Sequence, residues 1–112
     1  LIVDAGMNDL MRPSLYSARH KIENLVESSE KKDLYSVVGP VCETADSFGS
    51  DFEVSANAGD YLVVYSTGAY GSSMGSNYNT RLKPAEILVD QKSHKVIRKA
   101  ETFDDLIKEE EL

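Results

Sequence analysis

The chain has 112 residues, 41% of them hydrophobic, with a formal net charge of −7 and a single cysteine. That length suits one modest domain around one core, and no apolar run reaches the length of a membrane span. The acidic balance argues against nucleic acid as the main partner, because phosphate binding calls for clustered Lys and Arg. A lone cysteine excludes an intrachain disulfide and favours a reducing cytoplasm.

In chain order, Leu1-Ile2-Val3 is expected to be a short buried strand, stopped by Asp4-Ala5-Gly6. The start has neither the basic leader nor the cleavage region of a signal peptide, and without a leading Met it reads as the edge of a longer protein. Pro13 opens a helical turn after Arg12, which brings Arg12 and Tyr16 to one face. A guanidinium beside a phenol can clamp a carboxylate or phosphate; equally, an exposed Arg can simply stack on a surface Tyr. Residues 20–26 alternate as a strand, 27–33 form a hairpin loop, and 34–38 form a second strand. His20 reads as a plain surface or strand histidine, with nothing at metal-ligand spacing.

Gly39-Pro40-Val41-Cys42-Glu43-Thr44-Ala45-Asp46 then breaks the strand pattern. Successive strand side chains point to opposite faces, so Cys42 and Glu43 serve one site only if the segment leaves strand geometry; Gly39 and Pro40 permit that. A thiol beside a carboxylate suits a proton donor better than a nucleophile, although a single cysteine is more often a small buried hydrophobe. Residues 47–57 are polar, anchored by Phe48, Phe52 and Val54, and Ala58-Gly59-Asp60 is a turn. Tyr61-Leu62-Val63-Val64-Tyr65 is the strongest strand signal, expected to be central and buried on both faces.

The next stretch, residues 68–79, flanks Tyr70 with glycines and small polar residues, a pattern that allows close backbone approach to a ligand or merely packs tyrosines on a core. It lacks the Gly-Lys-Ser/Thr ending of a nucleotide-binding loop. Residues 84–89 and 94–98 form a hairpin around Asp90-Gln91-Lys92-Ser93, and Thr102 caps a terminal helix in a capping box with Asp105. Phe103, Leu106 and Ile107 form that helix's apolar face, and Glu109-Glu110-Glu111 a solvated tail. The fold class is therefore all-β: an antiparallel, barrel-like or sandwich-like domain with short helical turns and a small C-terminal helix. No internal repeat or long linker divides it.

Several of these stretches together resemble the diaminopimelate decarboxylase family. They are Val3-Asp4-Ala5-Gly6-Met7-Asn8-Asp9-Leu10, Arg12-Pro13-Ser14-Leu15-Tyr16, Gly39-Pro40-Val41-Cys42-Glu43 with Asp46, and Gly68-Ala69-Tyr70-Gly71 with Ser73-Met74 and Ser76-Asn77-Tyr78-Asn79. Arg81, Pro84-Ala85-Glu86 and Glu101-Thr102-Phe103-Asp104-Asp105-Leu106 continue the pattern, in the family's order. Thr44 and Gly75 stand where Ser is common, and neither departure removes a chemical group from the proposed site.

The resemblance implies a two-domain pyridoxal 5'-phosphate enzyme, a homodimer in the cytoplasm, that converts meso-2,6-diaminopimelate to L-lysine and CO2. A (β/α)8 barrel would carry the Schiff-base lysine, and residues 1–112 would be part of the C-terminal β-domain. By the same resemblance, Arg12 and Tyr16 bind the substrate's carboxylate end, and Glu43 takes the distal ammonium. Tyr70 lies against cofactor phosphate and substrate. Cys42 protonates the carbon that loses CO2, reaching into the partner subunit's site. Ornithine-type relatives tend to carry Asp after the cysteine and lack the Arg-Pro-x-Leu-Tyr run. Lys21, Lys31, Lys32, Lys83, Lys92, Lys95, Lys99 and Lys108 have no motif around them, so the chain alone is expected to be inactive and, with a barrel-facing surface bare, to self-associate. The alternative is a freestanding β-domain acting as a binding module, or the domain of an ornithine- or arginine-type decarboxylase.

Overall fold

The computed structural model describes residues 1–27, 29 and 31–111, which divide into two compact units, Leu1–Gly75 and Ser76–Leu112. Strands dominate both, the named sheets are antiparallel pairs, and the helices are single turns. The all-β class expected from the sequence holds. Among the described residues the sheets are two-stranded and do not close into a barrel.

The first unit contains α1 (Arg12–Tyr16), β1 (Ile22–Asn24), β2 (Asp33–Val38), β3 (Ser47–Val54), β4 (Leu62–Val64) and α2 (Gly71–Met74). β2 pairs with β3, setting Tyr35 opposite Phe52, and β1 pairs with β4, setting Ile22 opposite Val64. β3 carries Phe48, Phe52 and Val54 at even positions, so all three project to one face and are buried, while Asp51 and Glu53 on the other face are exposed. Gly49 (φ 119°) and Asp51 (φ 60°) take left-handed backbone, and the β2–β3 register shifts near Val37. Phe48, Phe52, Val37, Leu10 and Ile22 form the core, with Leu1, Val3, Ala5, Leu62 and Val64 packed against it.

Several expectations change. β1 and β2 pair with different partners, so they are not the two arms of a hairpin; positions 28 and 30 of that expected loop lie outside the described residues. The polar-looking residues 47–57 contain the longest strand, hidden because its solvent face is charged and its inner face is interrupted by Ser50. Leu1–Val3 makes only a bridge with Val38, and Ile2 points to solvent. β4 is neither central nor buried on both faces: it pairs with β1, its residues are half-buried, and Tyr61 is 75% exposed. His20 is buried rather than on the surface, its Nδ1 donating to the Tyr65 carbonyl at 2.9 Å.

The second unit runs from a 3-10 turn at Tyr78–Thr80 through β5 (Glu86–Val89) and β6 (His94–Arg98) to α3 (Phe103–Ile107). β5 and β6 form the expected hairpin, with Glu86 opposite Arg98 and an ion pair of 2.9 Å between them. At its turn the Asp90 carboxylate accepts from the Lys92 and Ser93 amides and the Ser93 hydroxyl, holding Asp90 below the usual carboxylate pKa. α3 starts with the predicted capping box: the Asp105 amide donates to Thr102 Oγ1, and the Thr102 amide donates to Asp105 Oδ2. Both strands of the hairpin are exposed except at Glu86, which is half-buried.

Candidate functional site

α1 forms because Pro13 presets a helical φ near the first turn, and it ends where Ser17 turns left-handed at φ 54°. Its single turn sets Arg12 and Tyr16 one above the other, as their spacing requires. The ring beneath the Arg12 guanidinium, however, is that of Tyr70, with the guanidinium carbon 5.1 Å from the ring centre. Both phenols remain largely exposed. The half-buried Arg12 guanidinium is thus held over an aromatic face by a cation–π contact.

The Cys42 loop leaves strand geometry at Gly39, as expected. It folds as a tight turn: the Glu43 amide donates to the Val41 carbonyl at 2.8 Å, and the Asp46 amide to the Glu43 carbonyl at 3.0 Å. Val41 is buried beneath, and Cys42 and Glu43 are exposed as neighbours on the outside of the turn. The Glu43 carboxylate accepts from the Ala45 amide at 3.3 Å. Thiol and carboxylate are therefore both exposed on one loop.

Tyr70 precedes α2, whose first bond runs from the Gly71 amide to the Thr67 carbonyl at 2.8 Å. A side chain at Gly75 would come within 3.1 Å of the Gly71 carbonyl and 3.5 Å of the Asn8 carbonyl, so this turn lies backbone to backbone against Asn8 and Asp9. The loop of residues 6–10 is itself rigid: Asp9 accepts from the Gly6 amide at 2.9 Å and from Asn8 Nδ2 at 3.0 Å, and Asn8 is fully buried.

Two further contacts join the three stretches. Ser14 Oγ, on α1, donates to the Ala45 carbonyl of the cysteine loop at 2.6 Å. The buried Asp46 carboxylate accepts from the Met7 amide and the Val41 amide, each at 2.7 Å. Arg12, Tyr16 and Tyr70 are thereby assembled on one side, and Cys42 and Glu43 are tied to the same helix through Ser14. Ser14 and Asp46 stand within the family-like motifs, but the sequence assigns neither a role. A turn-favouring Asp four positions after the cysteine was the available signal for one; a Ser two positions from Arg12 gave none.

Two lysines of the first unit are engaged in ion pairs: Lys21 pairs with Glu23 at 2.8 Å and lies over the Tyr65 ring, and Lys31 pairs with Asp33 at 3.3 Å. The Lys21–Glu23 bond raises the lysine pKa and lowers that of the glutamate. Among the described residues, no group of three or more His, Cys, Asp or Glu is placed to hold a metal ion. No helix among them is long and apolar enough to cross a membrane. A separate open cleft beside Asn24, Leu25, Asp60 and Tyr61 holds none of the five residues.

Residues 1–68 match the family model described as pyridoxal-dependent decarboxylase, C-terminal sheet domain. The chain is similar to the diaminopimelate decarboxylase of Neisseria meningitidis serogroup B, 50% identical over 105 residues, covering 93% of this chain and 25% of the relative. It is 48% identical over 108 residues to that of Aquifex aeolicus, covering 96% and 26% respectively. Among solved structures it resembles a diaminopimelate decarboxylase of M. jannaschii in complex with L-lysine, with a TM-score of 0.93 and 42% identity over 99% of this chain and 26% of that one. The chain spans about a quarter of the length of these relatives.

Proposed function

Since the chain belongs to the C-terminal sheet-domain family of pyridoxal-dependent decarboxylases, we propose that it forms one wall of the active site of an enzyme converting meso-2,6-diaminopimelate to L-lysine and CO2. The observation that carries this reading is the contact among three distant stretches: Arg12 stacks on Tyr70, and Ser14 of the same helix bonds to Ala45 of the cysteine loop. The name and L-lysine complex of the M. jannaschii relative support the choice of substrate.

The residues present fit one side of pyridoxal 5'-phosphate. The half-exposed Tyr70 phenol, two residues from Gly68 where an added Cβ would meet only open space, suits a phosphate oxygen and a flat ring. When bound, that cofactor draws electrons from the bond to the departing carboxylate. The covalent lysine and the (β/α)8 barrel belong to the part of the enzyme beyond this chain, and the isolated chain is inactive.

Within the assembled site, Arg12 grips the carboxylate at the far end of the substrate with paired N–H donors, and Tyr16 adds a phenolic donor. The Tyr70 ring keeps the guanidinium plane fixed and lies against substrate and cofactor. Glu43 receives the distal ammonium, a charge that only an acidic side chain can balance. Cys42 gives its thiol proton to the carbon that has lost CO2, acting as a positioned general acid. Cys42 works in the site of the partner subunit of a homodimer, and the exposed free thiol suits the reducing cytoplasm.

The test is Cys42→Ala in the complete enzyme, with decarboxylation expected to slow by roughly 10²- to 10⁴-fold, the range for loss of a positioned acid. An undiminished rate would remove the proton-donor role. Glu43→Asp should shift preference between substrates of different length, and unchanged preference would remove the recognition role.

A further inference from the structure

We propose that Asp46 is the positioning residue of this site, fixing Cys42 and Glu43 relative to the Arg12 helix. The inference rests on the reading of Cys42 as the proton donor. Asp46 is 4% exposed, and burying a carboxylate is unfavourable unless its oxygens are bonded. Here each oxygen has its own backbone donor from a different loop: Oδ1 takes the Met7 amide and Oδ2 the Val41 amide, both at 2.7 Å. Those lengths are in the charge-assisted range. Its main chain closes the same loop, with its carbonyl accepting from the Gly39 amide at 3.0 Å and its amide donating to the Glu43 carbonyl at 3.0 Å.

The placement leaves no slack. A Cβ at Gly39 would stand 2.3 to 2.6 Å from the Asp46 carboxylate, so glycine is required for the carboxylate to sit there. Val41, bonded to Oδ2, directly precedes Cys42, and its carbonyl takes the Glu43 amide, so both exposed residues are anchored through one bond. Met7, bonded to Oδ1, is five residues before Arg12 and follows Gly6, on whose carbonyl the Asp9 and Leu10 amides converge. One side chain thus sets the separation between the acid-bearing turn and the segment that leads into the carboxylate-binding helix. Asp46 itself touches neither substrate nor cofactor; it acts through Cys42 and Glu43.

Asp46→Asn keeps the shape but turns one acceptor into an amide N–H₂, which meets a backbone donor head on. A displacement of about 1 Å at a reacting group lowers turnover by up to roughly 10²-fold. The experiment is a double-mutant cycle in the complete holoenzyme: wild type, Cys42→Ala, Asp46→Asn and the double variant, with kcat and KM measured separately. We expect Asp46→Asn alone to lower kcat by roughly 10- to 100-fold. In the Cys42→Ala background the same change should lower kcat less than about twofold, because the acid it positions is gone and its remaining effect, through Glu43, falls on KM. Equal factors in both backgrounds would overturn the positioning role and leave the proton-donor reading intact. No loss from Cys42→Ala would instead overturn the proton-donor reading itself. Thermal melting identifies variants that fail to fold. Should Asp46→Asn be one, Gly39→Ala, which displaces the carboxylate without deleting it, takes its place in the cycle with the same expected coupling.

Discussion

Replacing Arg12 by Leu separates recognition from architecture, because the guanidinium's stack on Tyr70 and its proposed bond to a carboxylate differ in size. Its stack on Tyr70 at 5.1 Å is a partly exposed cation–π contact, worth about 0.5–1 kcal/mol. Leu at this position keeps an apolar body on the ring, so the folded unit should lose no more than that in a urea titration. The proposed bond to a carboxylate is charge-assisted on both sides and worth about 1.5–3 kcal/mol, or roughly 10- to 150-fold in affinity. In the complete enzyme, KM for meso-diaminopimelate should rise by that factor. The inhibition constant of L-lysine should rise with it, because the product keeps the carboxylate at the end that is not cleaved. Cadaverine, with the same chain and two amines but no carboxylate, is the control and should bind both forms alike. If cadaverine weakens as much as lysine, Arg12 acts through the shape of the site, and the carboxylate assignment fails.

Other consequences are simpler to check. Phe52→Ala removes a buried ring that packs in the core and carries the Arg19 guanidinium 4.5 Å above it; the first unit should lose about 3–5 kcal/mol by denaturant unfolding, and a loss under 1 would contradict the core described here. Thr102→Ala removes one half of the capping box and should cost α3 about 1 kcal/mol, read as increased amide exchange over residues 103–107. The Glu101 carboxylate accepts from the Lys83 amide and from Asn77, in that order of effect, which lowers its pKa from the ordinary 4.5. A depressed carboxylate stabilises above its unfolded pKa and loses that contribution as pH falls through the folded one, so the second unit should loosen below about pH 4.5 while remaining insensitive between pH 6 and 8. Amide exchange at Lys83 that is equally slow at pH 3.5 and pH 6, after correction for intrinsic rates, would refute this.

What the sequence made legible, and what it hid, follows from the range of the interactions. The capping box at Thr102, the hairpin around Asp90 and the turn at Arg12-Pro13 are decided by residues within a few positions of one another, and each is found where local chemistry puts it. β3 was hidden because only Phe48, Phe52 and Val54 mark its inner face, and its twist at Gly49 to Asp51 breaks the alternation. Tyr61-Leu62-Val63-Val64-Tyr65 misled in the opposite direction: propensity made a strand of it, but burial depends on neighbours that lie elsewhere in the chain. At the site, spacing paired Arg12 with Tyr16, whereas the ring that supports Arg12 comes from position 70. Ser14 and Asp46 were visible as letters and silent as partners. Their bonds reach Ala45 and Met7, 31 and 39 residues away.

Those separations also fix when the site can come into being. Contacts between distant positions form only after the intervening chain has closed its loops, so folds rich in them are reached slowly, in milliseconds to seconds for small β domains. His20 to Tyr65 spans 45 residues, Met7 to Asp46 spans 39, and the stack of Arg12 on Tyr70 links the two ends of the first unit. Nascent chain emerging in order has Arg12 long before its ring, and Cys42 before Asp46 can anchor it. The Arg12 stack and the anchoring of the Cys42 turn both wait on these long loops, and a peptide that stops short of Tyr70 lacks the stack.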